Sequence, residues 1–449
     1  MVCEGIRSER QLMRVVADRL SLRWYLGYDL TEPLPDHSSR SRIRERYGVD
    51  IFQRFFEHIV DLCQQAGLIW GKELIFDATQ VRANADADSL VPRFYVKAKA
   101  HVAALFAQDA AEGGALSGPK PPPSTPEPPA PPTALPASLT AEETAELAAE
   151  NASVWKLLEQ RRLDPARPPS GPDQRLTDLR VSTTDPDASL MRLKGGGMRL
   201  GYHDHDVVDG GKGRIIWAAF VTPADVMENT PMLDLLRRVS LRWKLRPKRA
   251  IGDTTYGTGE NIRALEEAGI RAYVPLAEYD KSSPFFRQQD FTYDAERDVY
   301  TCPGGTLLRL RGNNSVTRVR IYQAPAEACR TCPLRSHCTA STEGRKLNRP
   351  FAEDYRERVR GYHTTPAYQK AMRKRQVWVE PLFGEAKDWH GLRRFRLRGL
   401  AKVKCEGLLV AAGQNLKRLL PKGGWGRRPW PTGRIGWLSL APALELVQP

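Results

Sequence analysis

Three acids stand out by their surroundings: Asp77 in ELIFDATQ, Asp253 in AIGDTTYG and Glu380 in VWVEPLFG. Carboxylates are hard oxygen ligands, and in a chain with only 8 histidines they favour Mg2+ or Mn2+ over zinc. Two such ions, about 4 Å apart, activate an attacking oxygen and stabilise a leaving oxygen in an in-line phosphoryl displacement. Each acid also has a local explanation. Asp77 can turn the chain out of a strand, Asp253 can cap the helix that follows, and Glu380, before Pro381, suits a helix N-terminus. Chemistry requires a fold that brings the three together.

The elements around them are readable from spacing and punctuation. Residues 8–26, 35–48 and 50–67 read as three helices, the first with Ser8 as its cap and the last stopped by Gly67. The run 71–84 is a strand that Asp77 closes. Ten of the 18 residues from Pro119 to Pro136 are proline, a linker composition, and 141–163 reads as a helix. Strands follow at 199–210 and 213–223, then a helix at 232–245 and a strand at 247–257 that ends on Asp253. A helix at 258–270 is capped by Thr258, and another strand spans 271–276. Residues 367–380 and 382–390 are helical around Pro381.

With insertions removed, the order is strand, strand, strand, helix, strand, helix, strand, helix. That is the order of a ribonuclease-H-like core, an α/β fold with a mixed five-stranded sheet and flanking helices. Strands one and four are neighbours in it, so their C-terminal ends carry Asp77 and Asp253 together while Glu380 sits on the last helix. Lys387, seven residues after Glu380 and about 700° round the helix, points the same way and suits a DNA phosphate. The chain divides into an N-terminal helical module (1–70), which reads either as DNA-binding or as a small bundle with a wet face, two parts of the core (71–106 and 183–280) and the linker with its helical insertion (107–182). A Cys-rich β insertion (281–350), the catalytic helix with a basic region (351–420) and a tail (421–449) complete it.

Charge narrows the partner. Of 449 residues, 68 are Lys or Arg and 53 Asp or Glu, a net of +15 that suggests a polyanion. The first 76 residues are neutral, with 11 of each sign, whereas 340–449 hold 23 basic against 9 acidic residues, a net of +14. There the run HGLRRFRLRGLAKVK places Arg393, Arg394, Arg396 and Arg398 beside a catalytic acid, as phosphate contacts would be. Apolar runs are far below the ~20 residues of a spanning helix, and no signal peptide is visible. Seven cysteines in so long a chain fit a reducing cytosol, hence a cytoplasmic protein. Four of them, Cys302, Cys329, Cys332 and Cys338, have spacing that can close a tetrahedral Zn2+ site. His203 and His205 flank Asp204 as on the edge of a polar strand. Asp185 and Asp187 suit a turn at Pro186, and GGG (195–197) and GKG (211–213) are turns rather than nucleotide loops.

Several stretches together carry a resemblance: RWYLGYDLTEPLPDHSSRSRIRERYG (23–48), ELIFDATQVRANAD (73–86), STTDPDASL (182–190), LGYHDHDVVD (200–209), IGDTTYGTGENIRALEEAGIRAYVP (251–275), CPGG (302–305) with CRTCPLRSHCT (329–339), and VEPLFGEAKDWHGLRRFRLRGL (379–400). They resemble a DDE transposase of a bacterial insertion sequence over roughly 20–420, the Pro-rich stretch excepted. The resemblance implies a DDE triad of Asp77, Asp253 and Glu380 and Mg2+-dependent cutting of the element's ends. It also implies joining of 3′-hydroxyls to double-stranded target DNA, and a homodimer on paired ends. Relatives often carry Tyr and Arg seven and four residues before the helical Glu. Here Arg373 and Gln376 stand there, and Arg375, as substitute, faces elsewhere unless the helix is distorted. The start close to RWYLG suggests a truncated or differently started copy. The alternatives are an inactive or domesticated transposase that only binds DNA, and a nuclease of the same fold.

Overall fold

ELIFDATQVR is buried on both faces through its first half, as a strand covered from two sides is. The computed structural model describes residues 5–6, 8–92, 180–193, 196–277, 284–315 and 317–422. In it this run is β1 (Glu73–Arg82), the centre of the main sheet. β2 (Leu90–Pro92) and β3 (Arg180–Ser182) form a small ribbon, and β4 (Ser189–Arg192), β5 (Met198–Asp209), β6 (Ile216–Pro223), β7 (Arg249–Ile251) and β8 (Arg271–Tyr273) complete the sheet. β5 runs antiparallel to β1 and to β6, while β7 is parallel to β1 and β8 to β7. The sheet has six strands rather than five, because β4 pairs with the end of β5 that β6 does not reach. The Pro-rich run and the helix expected at 141–163 lie outside the described residues.

Helices cover the sheet. The N-terminal ones are α1 (Glu9–Asp18), α2 (Leu20–Leu26), α3 (Ser39–Tyr47) and α4 (Asp50–Gln65). The single helix expected over 8–26 is broken at Arg19, which is extended. Nothing local in DRLS forbids a helix, and the Arg19 N–H still bonds the Val15 carbonyl as the cap of α1. Ser8 caps as expected, its hydroxyl accepting from the Gln11 N–H at 3.3 Å. Arg23 of α2 is buried and donates to the carbonyls of Asp29, Leu30 and Glu32, which fixes the turn after RWYLG. α5 (Met232–Trp243) and α6 (Gly259–Glu267) flank β7, and α6 has its Thr258 cap.

β9 (Thr292–Asp294), β10 (Val299–Thr301), β11 (Leu307–Asn314), β12 (Val319–Gln323) and β13 (Lys346–Pro350) make a second, antiparallel sheet. The short helices α7 (Ala326–Arg330) and α8 (Arg335–Cys338) lie between β12 and β13. α9 (Glu353–Tyr362), α10 (Pro366–Lys374), α11 (Glu380–Asp388) and α12 (Leu400–Lys422) close the chain. The main core joins Leu74 and Phe76 of β1 to Val207, Trp217, Ile251, Leu382 and Leu408. Each such burial contributes about 1.5–3 kcal/mol, which pins the register on which the site depends.

Candidate active site

Parallel pairing sets the first two acids side by side. Ile75 of β1 is in register with Ile251 of β7, so Asp77, within β1, and Asp253, just past the end of β7, lie each two residues further on at the same level. Gly252 makes the exit of β7 possible, since a Cβ there would lie 2.8 Å from that of Tyr256. Asp253 then caps the turn Thr254–Tyr256 by accepting from the Thr255 N–H at 2.8 Å, so its capping and site roles coexist. Asp77 does not close its strand, because β1 continues to Arg82. It is buried and accepts from the Ala78 N–H at 3.0 Å. Burial pushes it up to about 6 against the pull of Arg375 and the Ala78 N–H, and the charge of Asp253 adds to the rise.

Pro381 does not divide the helix that bears Glu380. α10 and α11 are one continuous helix joined by a π turn at Arg375–Val379. Proline lacks an N–H and its ring crowds the carbonyl four residues back, and a widened turn relieves both. The consequence is positional. In a regular helix, five residues turn about 500° and leave Arg375 and Glu380 about 140° apart. The i→i+5 ladder of a π turn stacks them instead. Arg375 thus reaches the acids: one guanidinium nitrogen lies 3.1 Å from Asp77 Oδ2 and 3.7 Å from Asp253 Oδ2. Glu380, one π turn beyond, is exposed. The structure brings Asp77 and Asp253 together and puts Glu380 on the helix that serves them.

In HDHD the polar edge expected around the histidines is not found. β5 is an interior strand, and all four residues are buried. His203 and His205 face the side away from the acids. The His203 ring bonds the Val226 carbonyl and the His205 ring bonds Thr222, and burial pushes His205 down to about 3. Asp206 is the direct partner of Asp77 across the β1–β5 ladder, and Asp204 faces Thr79, so Asp77, Asp204 and Asp206 share one face. Burial, with Asp204 and Asp77 alongside, holds Asp206 well above the ordinary carboxylate range. Burial also lifts Asp204 to about 7, with the charge of half-buried Lys387 pulling the other way. The signal that could have found these acids is the same i, i+2 alternation that pairs the histidines.

The expected phosphate contacts have internal work. Arg393 pairs with Asp388, Arg394 donates to the Ala83 carbonyl, Arg396 pairs with Glu9 at 3.2 Å and Arg398 donates to the Asn84 carbonyl. Residues 393–395 continue the ladder at the end of β1, Phe395 N–H bonding the Arg82 carbonyl at 2.8 Å. Lys404 is buried over the Phe220 ring at 4.3 Å, and Arg418 and Lys417 meet Glu385 at 2.8 and 2.9 Å. Several of the C-terminal cations are therefore already engaged within the protein, Arg396 on the distant Glu9 among them. Arg393, Arg394 and Arg398 still expose their side chains.

Residues 301–420 match the family model described as Transposase DDE domain, and residues 1–46 match Transposase domain (DUF772). The two matches support a DDE-type transposase of an insertion sequence. No curated protein and no solved structure matches it. The two matches lie in different parts of the chain, and the DDE match holds Glu380 and the four clustered cysteines. The transposase family implies DNA binding, and DDE transposases generally use divalent metals. No described helix is long and apolar enough to cross a membrane.

Cys302, Cys329, Cys332 and Cys338 gather beside the second sheet, all unbridged. Burial pushes the Cys338 thiol up, and the other three cysteines add to the rise while Arg345 opposes it. The Thr306 N–H points at Cys302 Sγ, 3.3 Å away. Among the described residues, no three His, Cys, Asp or Glu side chains stand in a metal-holding group, at these cysteines or at the acids.

Proposed function

We propose that the protein cuts the ends of an insertion sequence and joins their 3′-hydroxyls to target DNA on a ribonuclease-H-like core. The observation that carries this reading is the turning of Asp77 and Asp253, from adjacent parallel strands, onto one cation of the helix that bears Glu380. The strand order, with β1 between antiparallel β5 and parallel β7, supports it. The donor set fits Mg2+ or Mn2+. Asp77 and Asp253 offer hard oxygens already drawn to a positive charge, and Glu380 is exposed on the same helix face as Arg375. When bound, the metal supplies an activated oxygen nucleophile and neutralises the leaving 3′-oxygen.

The protein's part is positioning. Burial of β1 fixes Asp77, the Thr255 N–H orients Asp253, and the π turn aims Arg375 and Glu380 to one side. Exposed Arg393, Arg394 and Arg398, with Lys387, hold phosphates without reading sequence. The four cysteines are read as a structural Zn2+ site. About one zinc per chain is expected in protein purified without chelator, and its absence by elemental analysis contradicts this part. Paired ends call for a homodimer. The test of the main reading is incubation of the full chain with Mg2+ and DNA carrying the element's terminal repeats. Nicked ends and joined products are expected. Hydrolysis without joining would favour a nuclease, and binding without cleavage a protein that has kept only DNA recognition.

A further inference from the structure

A single guanidinium stands where an ion shared by Asp77 and Asp253 would bind. Its nitrogen is 3.1 Å from one carboxylate and 3.7 Å from the other. The neighbouring charges do not account for its position. Glu73, at the start of β1, is already served by Lys374 at 2.6 Å and Arg249 at 2.5 Å. Asp206 adds a third carboxylate to the same face, its buried Oδ1 without a hydrogen-bond partner. A regular helix would turn Arg375 away, so the π turn is what delivers it. The Arg375 side chain is 17% exposed, which leaves it a way out toward solvent.

We propose that Arg375 is a built-in counter-cation that a divalent ion must displace. The guanidinium holds the two aspartates together, and metal entry releases it, still on the Glu380 face, toward a DNA phosphate. Metal loading and exposure of a phosphate-binding group are then one event. The proposal rests on the reading that Asp77 and Asp253 bind metal. Competition follows from mass action: a site that is metal-competent only when Arg375 has moved shows an affinity reduced by the fraction of time it is there.

The test is Mn2+ binding to the full chain without DNA, followed by electron paramagnetic resonance or calorimetry. The proteins compared are wild type, Arg375→Gln, Arg375→Lys and Asp253→Asn. Arg375→Gln is expected to bind Mn2+ about tenfold more tightly than wild type, Arg375→Lys between the two, and Asp253→Asn to lose the site. An Arg375 that merely supports the structure would give weaker binding when replaced. Equal or weaker Mn2+ binding by both Arg375 variants, at a site that Asp253→Asn still removes, overturns the proposal and leaves the metal reading standing. No Mn2+ site sensitive to Asp253→Asn overturns both. The lysine variant, which keeps the charge, separates the same outcomes if the glutamine variant fails to fold.

Discussion

Asp253→Asn lowers strand cleavage by about a thousandfold or more and leaves the protein folded. The two halves of this expectation come from the same geometry. Asparagine keeps an oxygen at the position that accepts from the Thr255 N–H, so the turn Thr254–Tyr256 retains its cap. The side chain is about one-third exposed, so little packing is at stake. What is lost is a charged ligand, and metal stabilisation of transition-state charge is worth several kcal/mol, each ~1.4 kcal/mol being tenfold in rate. Single-turnover cleavage of a terminal-repeat substrate, beside a melting curve, measures both. A variant that cuts within tenfold of wild type would remove Asp253 from the chemistry.

Asp77→Asn stabilises the protein at neutral pH while abolishing its activity. Burial raises Asp77 from 3.8 to about 6, so the fold disfavours the ionised form even with Arg375 alongside. For a carboxyl raised in this way, the folded state holds more protons than the unfolded one between those two values. Stability therefore falls as pH rises from about 4 to 6 and stays lower above, by up to about 3 kcal/mol. Asparagine removes that penalty. In chelator-containing buffer the variant should unfold later than wild type at pH 7.5, and the gap should vanish at pH 4. A loss of stability at pH 7.5 would show that the Asp77–Arg375 pair outweighs the burial. The site, on this view, is kept at the expense of stability, as functional sites commonly are.

The parts of the fold legible in the sequence are those written in local patterns. β1, β5, β6 and α6 follow from apolar runs, a Gly-rich turn and the Thr258 cap, and with them comes the adjacency of Asp77 and Asp253. The helix that bears Glu380 is legible in extent but not in shape. Residue spacing has no sign for a π turn, so Arg375 reads as facing away, when the turn reverses that orientation. HDHD misleads because buried polar residues break the usual pattern of a two-sided strand. Only the ladder shows that β5 is interior and that Asp206 meets Asp77. Net charge is the least transferable signal. A count cannot tell Arg396, paired with Glu9, or buried Lys404 from an arginine facing DNA.

Whether these carboxylates hold the metal is measured most directly by replacing an oxygen ligand with sulfur. Asp253→Cys should be inactive in Mg2+, which binds thiolate poorly, and should regain at least about tenfold in cleavage when Mn2+ is supplied. Wild type should change little between the two ions. Cleavage by Asp253→Cys at the wild-type rate in Mg2+, or no gain at all in Mn2+, would contradict metal binding by Asp253.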